Sequence, residues 1–228
     1  MSAKDRSLIV SDGGLTSLLA ASIASEEDAL RPRDASIQGA DASLVWPVST
    51  ALGLDPVCAH AASRHAEIFS LEYVPPGDER AGGLLGATLG MRGEVESLVL
   101  MRACYLAAAR RCSRVIWPVH HRPLESGGVN LDRIARSIDR ALLVGRLVTI
   151  DGDELGGAEL TIETPFVDLE DEQIADLALD MELPVEACWW SGTFGQAPGA
   201  ATERNRWLGL LGGPTISAEK ARQAEAAL

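Results

Sequence analysis

The residues best placed to do chemistry fall in two short polar runs. The first is Ser11-Asp12-Gly13-Gly14-Leu15-Thr16-Ser17, which separates the apolar run Leu8-Ile9-Val10 from an apolar segment at helical spacing, Leu15, Leu18, Leu19 and Ile23. A strand, a Gly-Gly turn and a helix start together can hold an oxyanion. Glycine lets the backbone come close, and the first turn of a helix offers unpaired N–H groups with a favourable dipole. The same letters fit an ordinary tight βα turn, and the local pattern leaves both readings open. The second run is His120-His121-Arg122, in a polar loop just after Val115-Ile116-Trp117. Ligands of open α/β sheets sit at the carboxyl ends of strands, where this loop falls. A solvated turn is the plain alternative.

Other chemistries lack their residues. No GxSxG elbow accompanies the scattered Ser, His and Asp residues, and neither a Walker GxxxxGK[ST] string nor a GxGxxG string is present. His60 and His65 are five residues apart on a helical segment, not on one face, which argues against a shared metal. The four cysteines, Cys58, Cys104, Cys112 and Cys188, are dispersed without a CxxC pair, so neither a disulfide framework nor an intact metal-ligand cluster follows. Cys104 and Cys112 fall on an apolar helical stretch, where a buried free thiol is expected.

The elements that would position these runs alternate regularly. Leu8–Val10 is a strand, and a helix follows from Gly14 to about Ser25, then a long polar loop through Asp41. Ala42–Val48 is a second strand, Asp55-Pro56 opens a helix to about His65, and Ile68–Val74 alternates as a third strand. A Gly/Pro-rich loop, Pro75 to Arg92, precedes the most strongly periodic helix, Glu94–Arg111. Strand Val115–Trp117, helix Asn130 to about Leu143, strand Leu160–Glu163 and helix Asp171–Met181 complete the series. This βα alternation predicts an α/β fold with a doubly wound, mostly parallel five-stranded sheet and helices on both faces. From Val185 the rhythm changes. Residues 185–228 carry three of the five tryptophans, a Trp207-Leu208-Leu210-Leu211 cluster and a last helix from near Ser217, expected as an extension packed on the 1–184 domain.

Composition narrows the classes further. Hydrophobic residues make up 46%, enough for a sizeable core, and Lys+Arg 20 against Asp+Glu 33 gives a formal charge of −13. That balance argues against a broad nucleic-acid surface, which needs clustered positive charge. No apolar run reaches the ~20 residues that cross a bilayer, and the amino-terminal residues lack a signal-peptide core; a cytoplasmic protein is the expectation.

The order of elements and several strings resemble the 7-cyano-7-deazaguanine synthase (QueC) family of PP-loop ATP-pyrophosphatases. The strings are Gly13-Gly14-Leu15-Thr16-Ser17 after the first strand, Glu94–Arg111 followed by Val115-Ile116, Thr164-Pro165-Phe166 before an acidic helix, Cys188-Trp189 after Leu183-Pro184-Val185, and Arg206. The resemblance implies an adenine nucleotide α-hydrolase-like fold and a loop that cradles the pyrophosphate of ATP with Mg²⁺ nearby. The candidate nucleotide-binding residues are then Ser11, Asp12, Gly13, Gly14, Thr16 and Ser17, with Arg92 matching an arginine the family places near its substrate. His120 and His121 join Arg92 as weaker substrate-binding candidates. A Gly13→Asp change is expected to abolish nucleotide binding if the loop cradles phosphate.

Three motifs depart from the family pattern. Its Ser-Gly-Gly-x-Asp-Ser loop has Thr16 here in place of the aspartate. The lysine expected after Thr164-Pro165 is replaced by the acidic run Leu169-Glu170-Asp171-Glu172, whose negative charge would repel a triphosphate but suits a helix start. Of four zinc cysteines only Cys188 remains; the others fall on Ala197, Ala200 and Glu203. One cysteine cannot hold tetrahedral zinc, so no metal ligands are assigned, and the Trp189, Trp190, Trp207 and Leu210 cluster is expected to form the tail's core.

Three functional readings follow. One is a divergent PP-loop protein that binds a nucleotide or purine-like ligand with the family chemistry lost or altered. Another is an active ATP-dependent C–N ligase of the queuosine pathway, converting a 7-deazaguanine carboxylate to the nitrile and releasing AMP and pyrophosphate, with Asp12 replacing the missing carboxylate. The third is a non-catalytic partner-binding protein, with a homodimer as the assembly allowed for.

Overall fold

The computed structural model describes residues 6–31, 42–48, 56–75, 92–124, 128–155, 160–191, 197 and 199–212. Five strands, β1 (Ser7–Ser11), β2 (Leu44–Pro47), β3 (Glu72–Tyr73), β4 (Arg114–Ile116) and β5 (Thr161–Glu163), form one sheet in the order β3-β2-β1-β4-β5. All four pairings are parallel; Ile9 lies opposite both Val45 and Ile116. Parallel neighbours need crossover connections, and α1 (Leu15–Leu30), α2 (Pro56–Ile68), α3 (Arg92–Ala109) and α4 (Leu131–Leu155) link the successive strands, while α5 (Asp171–Asp180) and α6 (Ala200–Leu210) follow β5.

The alternation of strand side chains sorts the core into two layers. Ile9, Val45 and Ile116 face a layer that includes α1, α2, α5 and α6. Leu8, Val10, Leu44, Trp46, Val115 and Trp117 face the opposite layer, with α3 and α4. The sheet is therefore doubly wound, as its βα order predicts. Among the described residues of the tail, Ala187, Cys188, Trp190, Ala200, Trp207 and Leu211 are buried in the first layer, and Trp189 and Leu210 pack against it. All four cysteines are free and buried. Burial pushes the Cys104 thiol up to about 12 and the Cys112 thiol up to about 11, and raises Cys188 well above its ordinary value.

Several boundaries differ from the sequence reading. α1 continues through Glu26-Glu27-Asp28 to Leu30, and α4 runs to Leu155 instead of stopping near Leu143. The third strand shrinks from Ile68–Val74 to Glu72–Tyr73, because α2 extends to Ile68 and closes at Ser70. Ser70 has φ 55°, and the Leu71 N–H donates to the Ala66 carbonyl at 2.9 Å. That is a Schellman end built without glycine. Of the Trp207-Leu208-Leu210-Leu211 cluster, the first three residues lie in α6 and Leu211 caps its end. The helix expected near Ser217 lies outside the described residues.

His65 of α2 is wholly buried beside the Ala187 backbone. Burial, with a smaller push from the Arg64 charge, lowers its pKa to about 4. The folded state thus prefers the neutral ring, and the unfolded chain takes up the proton first as pH falls. This contribution to stability is complete above the unfolded value of about 6.5 and is lost as pH drops toward 4, a total of about 3 kcal/mol. Urea midpoints should fall more steeply between pH 7 and 4 for the natural chain than for His65→Leu. Equal slopes would contradict the assignment.

Candidate functional site

In the order β3-β2-β1-β4-β5 the chain leaves β1 toward one edge and returns to β4 on its other side. Loops at the carboxyl ends of β1 and β4 therefore diverge and leave a crevice, the usual ligand position in such sheets. A cleft of about 520 Å³ occupies that place. Its walls combine Asp12, Gly14, Thr16 and Ser17 from the first loop with Trp117, His120, His121 and Arg122 from the second. Trp189, Trp190, Glu203, Arg206 and Trp207 close it from the tail, and Glu96 and Arg133 contribute from α3 and α4. The two runs singled out in the sequence, whose nearest members Ser17 and His120 are 103 positions apart, thus face one cavity. Arg92 opens α3, but its side chain lies outside the described residues.

The first loop satisfies much of its own donor capacity. The Gly14 N–H donates to Asp12 Oδ1 at 2.8 Å, and the Ser17 hydroxyl donates to the same oxygen at 2.8 Å. The Asp12 N–H donates to Ser17 Oγ at 3.1 Å and the Gly13 N–H to Ser11 Oγ at 3.1 Å. Asp12 therefore places a carboxylate at the start of α1, where a negative charge is favoured by the helix dipole. Ser11 and Gly13 lie behind this surface. Gly13 has φ +74°, and a Cβ there would stand 2.6 Å from the Cys58 carbonyl oxygen of α2. Its carbonyl accepts the Trp189 N–H at 3.0 Å, which ties the tail to the loop. Thr16, at the position of the family's aspartate, is buried in the cleft wall.

The opposite wall is organised by Arg206. Its Nε and Nη2 donate to Asp171 Oδ2 and Oδ1 at 2.6 and 2.5 Å, a bidentate pair with side chains 15% and 10% exposed. Nη2 also lies 3.0 Å from His120 Nδ1, and the guanidinium carbon stands 4.5 Å from the Trp207 ring centre. Arginine only donates, so His120 Nδ1 must accept. The proton of the neutral ring is then on Nε2, which donates to the Leu169 carbonyl at 3.0 Å. Burial, and next the Arg206 charge, hold the His120 pKa below its ordinary value, in keeping with that neutral tautomer. His121 Nε2 is 2.9 Å from Ser137 Oγ of α4. Glu203 joins Arg122 and Arg206 and accepts the Trp207 indole N–H at 3.1 Å.

The acidic run before α5 does not face the cleft as a repulsive patch. Glu170 and Gln173 form a capping box, and Asp171 is neutralised by Arg206. The lining has three arginines (Arg122, Arg133, Arg206) and three acids (Asp12, Glu96, Glu203), a balanced surface in a chain of charge −13. Sequence reading missed the Asp171–Arg206–His120 unit as a unit. Its members are spread over 86 positions; His120 and Arg206 were marked separately and Asp171 stood only in the acidic run, with nothing in the sequence to join them. Among the described residues no cluster of three or more His, Cys, Asp or Glu is arranged to hold a metal ion. No helix among them is long and apolar enough to cross a membrane.

No protein-family model matches the chain, and no curated protein matches it in sequence. Among solved structures, the U34-tRNA thiolase NcsA from Methanococcus maripaludis, described with its [4Fe-4S] cluster, superposes with a TM-score of 0.48 at 15% identity. The match covers 88% of this chain and 63% of that chain, so this chain spans under two thirds of its length. At that likeness neither the cluster nor the activity transfers.

Proposed function

We propose that the cleft binds a purine nucleotide or purine-like ligand, in a PP-loop-like protein whose ATP-dependent chemistry is lost or altered relative to 7-cyano-7-deazaguanine synthase. The observation that carries this reading is the position of the cleft at the divergence of β1 and β4, with a helix start on one side and aromatic rings on the other. The ligand's anionic end would sit at Gly14, Ser17 and the first turn of α1. Its ring would lie toward Trp117, Trp189, Trp190 and Trp207, four of the five tryptophans in the chain. Aromatic surface of this kind suits a flat heterocycle. The altered chemistry rests on Thr16 in place of the loop carboxylate and on Asp12, which occupies the Gly14 and Ser17 donors that a phosphate would use.

The second reading, an active ligase, is favoured by one feature: Asp12 keeps a carboxylate in the cleft wall, where it could approach Mg²⁺ beside a phosphate chain. The two readings diverge at one residue. If Asp12 only fills the anion position, Asp12→Ala frees two donors and removes a like charge, and affinity for ATP or pyrophosphate should rise about tenfold. If Asp12 is the working carboxylate, the same change should weaken Mg-dependent ATP binding and abolish pyrophosphate release with 7-carboxy-7-deazaguanine and ammonia. Calorimetric titration and a pyrophosphate assay on both proteins test the pair. The absence of binding to either protein would sink both readings and leave the partner-binding alternative.

A further inference from the structure

Outside the cleft, the most unusual surface is the outer side of α4. Its inner side is accounted for: Ala141, Val144 and Val148 are buried against the sheet layer shared with α3, Ile134 is buried too, and Arg140 ties to Glu96 at 2.6 Å and Ser97 at 3.0 Å. Its outer side carries Leu131, Ile138, Leu142, Leu143, Leu147 and Ile150, exposed by 72, 39, 67, 68, 43 and 67%. Six large apolar side chains in water on one helix are far more than scattered surface residues would give, and such patches mark interaction sites.

The charges within this patch identify the occupant. Asp139 and Arg146 flank Leu142 and Leu143, and at about 3.6 residues per turn they project from the middle of the outer side. Neither forms an ion pair among the described residues. The sequence is self-complementary about the Leu142–Leu143 bond: an antiparallel copy of α4 sets Leu142 against Leu143 and Asp139 against Arg146, each pair occurring twice, with Ile138 and Leu147 on the two opposite edges of this stripe. A parallel copy would set Asp139 against Asp139 and Arg146 against Arg146, which repels. Reciprocal pairing about a central axis is what a two-fold, isologous interface requires.

We propose that the chain forms a two-fold homodimer through antiparallel packing of α4, with leucines at the centre and two Asp139–Arg146 pairs fixing the register. The interface lies away from the cleft residues apart from the start of α4, so the proposal stands whether or not a nucleotide binds there.

Sedimentation of the full chain at tens of micromolar should give about 48 kDa, twice the 24.1 kDa of one chain. Leu142→Glu should weaken association at least about 100-fold, and Asp139→Arg or Arg146→Asp alone should do so about tenfold or more. These positions are exposed, so circular dichroism should be unchanged. The double variant Asp139→Arg with Arg146→Asp should recover the dimer, an outcome a general loss of folding would not give. A monomeric natural chain would overturn the proposal, as would a dimer indifferent to Leu142→Glu or a double variant no tighter than the singles.

Discussion

Gly13→Ala is expected to lower stability by about 3 kcal/mol, a fall in Tm of roughly 6–12 °C for a chain of this size. Two costs add. At φ +74° an L side chain is in the left-handed region, worth about 1–2 kcal/mol. The added Cβ would then stand 2.6 Å from the Cys58 carbonyl oxygen and 2.9 Å from the Ala61 Cβ. Both are parts of α2 that cannot swing away, unlike the tip of a long side chain. Gly14→Ala meets only the Asp12 carboxylate, at 3.0 Å, and should cost under about 1 kcal/mol. Thermal melts of the two variants check the contrast; equal losses would contradict it. The same geometry changes what Gly13→Asp reports. That substitution is expected to break the packing of loop on helix before it reaches any phosphate, so Gly14, Ser17 and Asp12 are the positions that probe binding.

The second large effect is at Arg206. Arg206→Met should destabilise the fold by about 3–5 kcal/mol, because it leaves the nearly buried Asp171 carboxylate without its bidentate partner. Arg206→Lys should recover little, since one ammonium cannot reproduce two parallel bonds to Asp171 together with the donation to His120. Asp171→Leu added to Arg206→Met should restore much of the loss, as removal of both charges ends the desolvation penalty. A double variant as unstable as the single would contradict this. The arginine charge also depresses the His120 pKa, so Arg206→Met should move it upward, a shift readable by NMR titration of the imidazole resonances.

The difference between those two sites shows what the sequence could and could not convey. Leu8-Ile9-Val10 and Val115-Ile116-Trp117 announce buried parallel strands, and the regular βα alternation fixes a doubly wound sheet. The sheet then brings the Ser11–Ser17 and His120–Arg122 loops to one crevice, because sheet topology compels it. Helix ends were harder to read. α2, α3 and α5 close on Ser70, Arg111 and Glu182 in left-handed conformations where glycine is the usual signal. Without a glycine, the end of α2 merges with the following strand in any pattern of apolar residues. α6 was obscured by its low periodicity: it buries only Ala200 and Trp207 on its length and presents Glu203 and Arg206 to the cleft. The Asp171–Arg206–His120 unit was illegible for a different reason. Its side chains look like surface charges in sequence, and only the packing of α6 on α5 makes them partners.

The central claim is that the cleft between the β1 and β4 loops holds a purine nucleotide. Its most direct test is tryptophan fluorescence during titration with ATP, with and without Mg²⁺. Four of the five tryptophans line the cleft, and Trp46 does not. The account predicts a saturable change at one ligand per chain, competed by pyrophosphate and strengthened by Asp12→Ala. An emission spectrum unmoved by millimolar ATP in both the natural chain and Asp12→Ala would contradict it.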